Sequence, residues 1–429
     1  MEFIALGVIG LFLLALAIGV PVYSAMGLCA ALGIYLVEGG VGLPNKMAVT
    51  IYGSLDSFVL LAIPLYILAG TLLQETGQST KLFNFAASLV SRLRGGLGVA
   101  TILACALFSA VCGSSIATAA TIGLVAVPAL AANGYPSARA GGLIAAGGTL
   151  GILIPPSIAL LIYGVLTDQS IGALFVAGVV PGIMLVAIMA LYTIASNPKD
   201  PHQRHYTVGE VGRAALDALP VLLLPVLIFV GLYTGIATAT EVAAIAVVYI
   251  VTVGLAMRTL DLRKIWRAGL SAAHSSVMIF MLIAFGALMS YFFTITGVPH
   301  RLTAAIAESG LGFFGVVSLM VIFYVVLGTF LEELSMMLIT IPILYPVAMQ
   351  AGIDPLAFGI FVVLAIQVAQ ISPPVGLVLF AIAKIGSIPF DKLSRAIVPY
   401  CVLMILMMYA VCYWQGIATW LPRTMDYSR

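Results

Sequence analysis

The residues able to do chemistry in this chain are few, and they gather around two pairs of prolines, Pro155-Pro156 and Pro373-Pro374. Each pair interrupts an apolar stretch long enough to be a membrane helix. Proline lacks the backbone N–H and clashes with the preceding turn, so two in succession break a helix. Inside a bilayer the freed carbonyl and N–H groups are tolerable only against protein, water or a ligand. Upstream of each pair lies a second polar interruption, Gly113-Ser114-Ser115 in one case and Gly328-Thr329 through Ser335 in the other. Bringing each interruption to the following break groups Cys112, Gly113, Ser114 and Ser115 with Gly151, Ile154 and Pro156. It likewise groups Gly328 and Thr329 with Ala369, Ser372 and Val375. Unwound carbonyls and hydroxyls suit a hard cation such as Na⁺, whereas half-helix N-termini offer N–H groups to an anion. Candidate solute contacts are Ser114, Ser115, Thr149, Pro155, Ser157, Thr329, Pro373 and Pro374. The competing role for each small residue is close helix packing.

Other chemistries lack their residues. The five cysteines (Cys29, Cys105, Cys112, Cys401, Cys412) are scattered and the four histidines form no cluster with them, so neither a metal nor a redox centre is expected. No GxSxG, HExxH or phosphate-cradling GxxxxGK[ST] occurs, which argues against an enzyme and against ATP use by this chain. The net charge of +2 gives no reason to expect nucleic acid. Among ionisable residues in apolar stretches, Glu332 and Glu333 sit beside the second hairpin tip, where they can hold a cation, gate the site or pair with a base. Asp56 and Glu241 begin apolar spans and read as interfacial. Arg139 begins the first broken span and reads as an orientation anchor.

The elements that must position these groups are membrane helices. The 429 residues are 62% hydrophobic and only 8% charged, against about 25% charged in soluble domains. Spans of about 20 apolar residues are expected near 3–20, 22–37, 54–74, 138–167 (broken), 171–195, 219–235, 239–257, 273–295, 355–386 (broken) and 396–420. The first of these follows no basic n-region and is expected to be a retained helix rather than a signal peptide. Stretches 97–133 and 312–351 have arms of about 16 residues, or about 24 Å at 1.5 Å per residue, and are expected to be re-entrant hairpins. Residues 78–94, 207–219 and 260–272 mix charged and apolar residues as interfacial helices do. With this count fourteen basic residues fall on one face: Lys81, Arg92, Arg94, Arg139, Lys199, Arg204, Arg213, Arg258, Arg263, Lys264, Arg267, Lys384, Lys392 and Arg395. Lys46, Arg301, Arg423 and Arg429 fall on the other. The first face is then cytoplasmic and both termini lie outside.

Sliding the chain by 218 residues lays 128–181 over 346–399 without a gap. Pro128, Gly134, Gly141, Pro155, Pro156 and Pro181 fall on Pro346, Gly352, Gly359, Pro373, Pro374 and Pro399. Five spans separate the equivalents, an odd number, so the second copy is inverted. The expected fold is an all-α polytopic membrane protein, an inverted repeat with halves 1–213 and 214–429, each holding one hairpin and one broken helix. Inverted repeats with broken helices and a midplane site describe a secondary transporter. A stand-alone ion-coupled carrier or antiporter is the alternative. An intramembrane enzyme lacks a catalytic cluster, and re-entrant tips with paired breaks favour gated binding over an open pore.

The run Gly113-Ser114-Ser115-Ile116-Ala117-Thr118, then Gly134-Tyr135-Pro136, then Gly147 to Ser157 resembles the large membrane subunit of tripartite ATP-independent periplasmic (TRAP) transporters. So do Pro342 to Pro346 and Ser372-Pro373-Pro374-Val375-Gly376, and the resemblance covers nearly the whole chain. It implies an ion-transporter-like, elevator-type fold in the bacterial inner membrane and no cofactor beyond the coupling ion Na⁺. It also implies two partners, a small four-helix membrane subunit and a periplasmic substrate-binding protein that delivers an organic anion such as a carboxylate or sialic acid. The sodium sites it implies match Gly113 to Ser115 with Gly151 to Pro156, and Gly328 with Ala369 to Val375. Cys112 and the Glu332-Glu333 pair depart from the family's usual Ser or Gly and Asp at those places. Because the chain begins directly with the first span, the small subunit is expected to be a separate chain.

Overall fold

The computed structural model describes residues 2–39, 42–196, 206–328, 330–374 and 376–425, so Thr329, Val375, Lys199, Arg204 and Arg429 lie outside the described residues. These form twenty α-helices and two short 3-10 segments, with no strand among the described residues. The first part of the chain holds α1 (Glu2–Ala17), α2 (Val22–Glu38), α3 (Leu43–Leu55), α4 (Ala62–Thr76) and α5 (Ser79–Val90). Next come α6 (Gly96–Cys112), α7 (Ser115–Ala132), α8 (Ser137–Thr149), α9 (Ile158–Thr167) and α10 (Ile171–Ser196). The second part continues with α11 (Val208–Tyr233), α12 (Ala239–Ala256), α13 (Leu262–Thr296), α14 (Val298–Glu308) and α15 (Phe313–Leu327). It ends with α16 (Glu333–Gln350), α17 (Pro355–Ile371), α18 (Leu377–Ile385), α19 (Phe390–Tyr413) and α20 (Gly416–Thr424). The 3-10 segments, Phe58–Leu61 and Leu150–Ile152, precede α4 and follow α8.

Every expected span corresponds to a helix or a broken pair, and this is a multi-pass membrane protein. Two of the three expected interfacial segments are not separate helices. Residues 207–219 open α11 and 260–272 open α13, which continue without a break into their spans. The reason is local. Thr207 and Glu210 form a capping box that starts α11 at its polar end, with the Thr207 N–H donating to Glu210 Oε2 at 2.8 Å. Asp261 caps α13 by accepting from the Lys264 N–H at 2.7 Å. At 35 residues α13 is about 52 Å long, so its polar first turns extend beyond a hydrocarbon core of about 30 Å. Glu241 is likewise the capping-box partner of Thr238 at the start of α12. The division drawn between 213 and 214 falls inside α11. Helices α3, α14 and α20 were not foreseen: each is short, and α14 and α20 carry their apolar residues on one face among polar ones.

The stretches 97–133 and 312–351 are both helical hairpins, α6–α7 and α15–α16. Their arms are unequal in character: α7 and α16, at 18 residues each, are among eight helices of the described residues long and apolar enough to cross a membrane, while α6 and α15 are shorter. Both proline pairs lie between half-helices, the first between α8 and α9 and the second between α17 and α18, and both Pro–Pro peptide bonds are cis. The positions paired by the 218-residue offset occupy like places. Pro128 and Pro346 sit inside α7 and α16, and Pro181 and Pro399 sit inside α10 and α19. Gly134 and Gly352 have φ of +80° and +81°.

Packing is built on small residues. The four glycines of α8 serve as contact faces rather than points of unwinding. A Cβ at Gly142 would stand 3.2 Å from the Ala396 backbone, one at Gly147 3.1 Å from Cys105 Sγ, and one at Gly148 2.9 Å from Ala119 Cα. So α8 is held tightly by α19, α6 and α7. Helix α13 runs along α2, α3 and α4 and reaches α16. The two broken helices meet through Tyr163 on α9, whose ring lies against Gly359 of α17 and whose hydroxyl donates to the Pro355 carbonyl at 2.6 Å.

Candidate functional site

The first hairpin turns at Gly113, whose φ of +60° ends α6 in the left-handed conformation that costs glycine least. Its N–H closes the helix on the Ser109 carbonyl at 3.1 Å. Ser114 is extended and Ser115 begins α7. The turn rests on the first break: a Cβ at Gly113 would be 3.0 Å from the Pro156 carbonyl oxygen, and one at Gly151 would be 3.0 Å from the Ser114 carbonyl oxygen. The grouping of 112–115 with 151–156 is therefore present as a contact between backbones. Two carbonyl oxygens point into this contact, and the Ser115 hydroxyl, 1% exposed, has no hydrogen-bond partner in the structure. An oxygen-rich, buried set with an unpaired hydroxyl fits a hard cation. Ile154 is beside it, its side chain facing Gly182 of α10.

Several expected solute contacts are occupied otherwise. Ser157 caps α9, accepting from the Leu160 N–H at 3.2 Å and donating to the Ile152 carbonyl. The Thr149 hydroxyl donates to the Ala146 carbonyl at 2.8 Å. Both are buried, as are Pro155 and Pro156.

The second hairpin and break also abut. Gly328 has no room for a Cβ because Ala369 of α17 lies against it. Past the break, Gly376 (φ +50°) lies where a Cβ would be 3.1 Å from the Ser372 carbonyl and 3.3 Å from the Gln370 carbonyl. The Ser372 hydroxyl is committed, donating to the Val368 carbonyl at 2.7 Å. Pro373 and Pro374 are exposed.

A cavity of about 330 Å³ brings the two hairpin tips to one place. Cys112, Gly113 and Ser114 line it from the first tip; Glu332 and Glu333 line it from the second; Gln370 and Leu377 line it from either side of the second break. Helix α4 adds Gly70, Thr71 and Gln74, and α13 adds Ser271 and Ser275. A neighbouring cavity of about 190 Å³ shares Glu332, Glu333, Gln370 and Leu377 and is also lined by Gly328, Ala369 and Gly376. Thr149, Pro155, Ser157, Pro373 and Pro374 line neither.

The polar groups are tied across elements. Gln370 donates through Nε2 to Glu333 Oε2, linking α17 to α16, while its side-chain Oε1 is buried without a partner. Glu332 accepts from the Ser335 hydroxyl at 3.1 Å. Gln74 donates to Cys112 Sγ at 3.4 Å, tying α4 to the first tip. Thr71 donates to the Ala268 carbonyl of α13 at 3.3 Å. Sequence reasoning missed Gln74, Gln370, Ser271 and Ser275. Gln370 had a usable signal, an amide within a 17-residue helix that is otherwise almost wholly apolar. The residues of α4 and α13 had none, because nothing local says these helices face the tips.

The paired hairpins and broken helices of this membrane protein enclose a cavity with carboxylates, amides and hydroxyls on its wall, and the family it matches makes it a transporter permease rather than an enzyme. The family described as "Tripartite ATP-independent periplasmic transporter, DctM component" matches residues 9–417, and the chain belongs to that family. It is 35% identical to the C4-dicarboxylate TRAP transporter large permease protein DctM of Pseudomonas aeruginosa, with 94% of this chain and 95% of that one aligned. It is 31% identical to the sialic acid TRAP transporter large permease protein SiaM of Vibrio cholerae (94% and 95%). It is also 32% identical to the isethionate TRAP transporter permease protein DctMQ of Oleidesulfovibrio alaskensis, where 94% of this chain covers 64% of that protein. Among solved structures, Neisseria gonorrhoeae MtrF, described as illuminating a class of antimetabolite efflux pumps, shares the fold with a TM-score of 0.62. Its identity is 15%, over 88% of this chain and 84% of that one.

Proposed function

We propose that this chain is the translocation subunit of a sodium-coupled importer of a small organic anion, handed over by a periplasmic binding protein. One observation carries the reading: both hairpin tips and the second break line a single cavity of about 330 Å³, large enough for a small organic solute. The carbonyl oxygens and the free Ser115 hydroxyl at the first tip serve the coupling ion. The amides and hydroxyls of the cavity serve the solute, while the Glu332 and Glu333 carboxylates, which repel an anion, serve a cation. Carboxylates or sialic-acid-like molecules are the solute class, a choice supported by the names of the relatives. A small four-helix membrane subunit is a partner, a reading supported by the relative named DctMQ, of which this chain covers 64%. The like placement of offset-paired residues supports an inverted repeat, with one hairpin and broken helix per half moving as an elevator against a scaffold. Lysine and arginine bias supports periplasmic termini in the bacterial inner membrane.

The test is uptake of labelled organic acids into proteoliposomes holding this chain and its small subunit, with and without an inward sodium gradient and the binding protein. Uptake that needs all of these establishes the reading and identifies the solute. Sodium-driven uptake by this chain alone replaces it with a stand-alone carrier.

A further inference from the structure

Away from the tips, a cleft of about 210 Å³ opens where α8 begins, α10 ends and α19 begins. Two guanidinium groups line it, Arg139 from the first turn of α8 and Arg395 from α19, together with Tyr135, Tyr192, Tyr400 and Ser196. Among the described residues no acidic side chain lines it. Its walls are fixed. The Tyr192 and Tyr400 rings pack edge to face with centroids 5.2 Å apart, and the Tyr400 hydroxyl lies 3.2 Å from the Thr193 hydroxyl. Arg139 reaches across the opening, its Nη1 3.4 Å from the Ser196 carbonyl. Exposed Lys392 lies one turn before Arg395.

We propose that this cleft holds the phosphate headgroup of an anionic phospholipid. Arginine forks match phosphate oxygens in paired hydrogen bonds, and two exposed guanidinium groups border this one cleft. Basic pockets between membrane helices are sites for anionic headgroups. The choice of a lipid over a free anion rests on the surface beside the cleft. Leu191 next to Tyr192 is 65% exposed, and Val398 and Val402 on either side of Pro399 and Tyr400 are 50% and 48% exposed. A headgroup in the cleft would therefore leave its acyl chains along the outward apolar faces of α10 and α19, which pack against each other. A lipid seated there bridges α8, the first half of a broken helix, to α10 and α19.

Native mass spectrometry of the purified full chain, titrated with phosphatidylglycerol or phosphatidylcholine, reads this directly. Thermal unfolding in the same lipids and in inorganic phosphate is the companion measurement. Preferential retention of phosphatidylglycerol is expected in the wild type. Arg139→Gln with Arg395→Gln should weaken that retention by about tenfold or more, the scale of losing hydrogen bonds to a charged group. Phosphatidylcholine retention should stay unchanged, as it should for the distant control Lys81→Gln. If the double glutamine variant fails to fold, the single variants and the charge-preserving lysine pair carry the comparison, with the lysine pair intermediate. Equal phosphatidylglycerol retention by wild type and variants would overturn the site. Protection by inorganic phosphate that depends on both arginines, with lipid retention independent of them, would overturn the lipid assignment in favour of a free anion.

Discussion

The two helix breaks carry the same Pro–Pro pair and are built to opposite ends. The first is sealed: Pro155 and Pro156 are buried, Ser157 is spent on capping, and Gly113, Gly151 and Gly178 press neighbouring backbone against the loop. The second is open: Pro373 and Pro374 are exposed, Leu377 is 42% exposed, and both cavities run past Gln370 to this break. The tips differ in the same sense. The first is a two-residue turn of small groups, whereas the second spans Gly328 to Glu332 and places two carboxylates on the cavity wall. One motif is thus packed closed at the first break and open to the cavity at the second. Backbone fit should dominate in the first half and side-chain chemistry in the second.

The largest expected effect comes from overfilling the first break. In Gly151→Leu the new Cβ alone meets the Ser114 carbonyl oxygen at 3.0 Å and the Ser115 nitrogen at 3.3 Å. Both are backbone atoms that cannot rotate away. Overpacking of this kind costs about 1–3 kcal/mol or more, and it separates the tip from the break. Loss of uptake together with a lowered unfolding temperature is expected in proteoliposome and thermal-shift assays. Wild-type uptake by this variant would remove the first break from the comparison.

At the second break the effect should be chemical. Glu333→Gln keeps the volume of the side chain but removes the carboxylate that accepts from Gln370. A hydrogen bond to a charged group is worth about 1.5–3 kcal/mol to the fold, so the unfolding temperature should drop, and uptake should fall with it at unchanged expression. A double-mutant cycle with Gln370→Leu separates the pair from its members. Additive losses would mean that the amide and the carboxylate act independently.

The two serines that sequence alone treats as equivalent ligands should now part. Ser115 has a buried hydroxyl with no partner, while Ser372 donates to the Val368 carbonyl. Ser115→Ala should raise the sodium concentration for half-maximal uptake severalfold, and Ser372→Ala should shift it little. Equal shifts in a sodium titration would restore their equivalence and place Ser372 in the ion's shell.

That pair also marks how far the sequence could be read. Breaks, hairpins and most span positions were legible because proline and glycine act locally and because apolar length is set by the bilayer. What Ser157 and Thr149 do with their hydroxyls was not, because a carbonyl within five residues competes with any ligand, and only the realised backbone decides between them. The contributions of α4 and α13 to the cavity were invisible because they depend on how distant helices pack. The polar first turns of α11 and α13 were read as separate surface helices because a composition change marks the membrane boundary, whereas a helix crosses that boundary wherever its hydrogen bonds continue.

The smallest expected effect is the sharpest test of the closed first break. Ser157 was a candidate solute contact, yet it lies 1% exposed with its hydroxyl shared between the Leu160 N–H and the Ile152 carbonyl. If that hydroxyl only closes the loop, Ser157→Ala loses an N-cap worth about 1 kcal/mol and leaves every cavity residue in place. The unfolding temperature should drop by a few degrees, while the solute concentration for half-maximal uptake and the sodium dependence stay at wild-type values. A change in solute affinity without a change in stability would show that the first break opens to the solute during transport. The sealed state described here would then be one of two positions of that loop, and the contrast between the halves would belong to a conformation rather than to the fold.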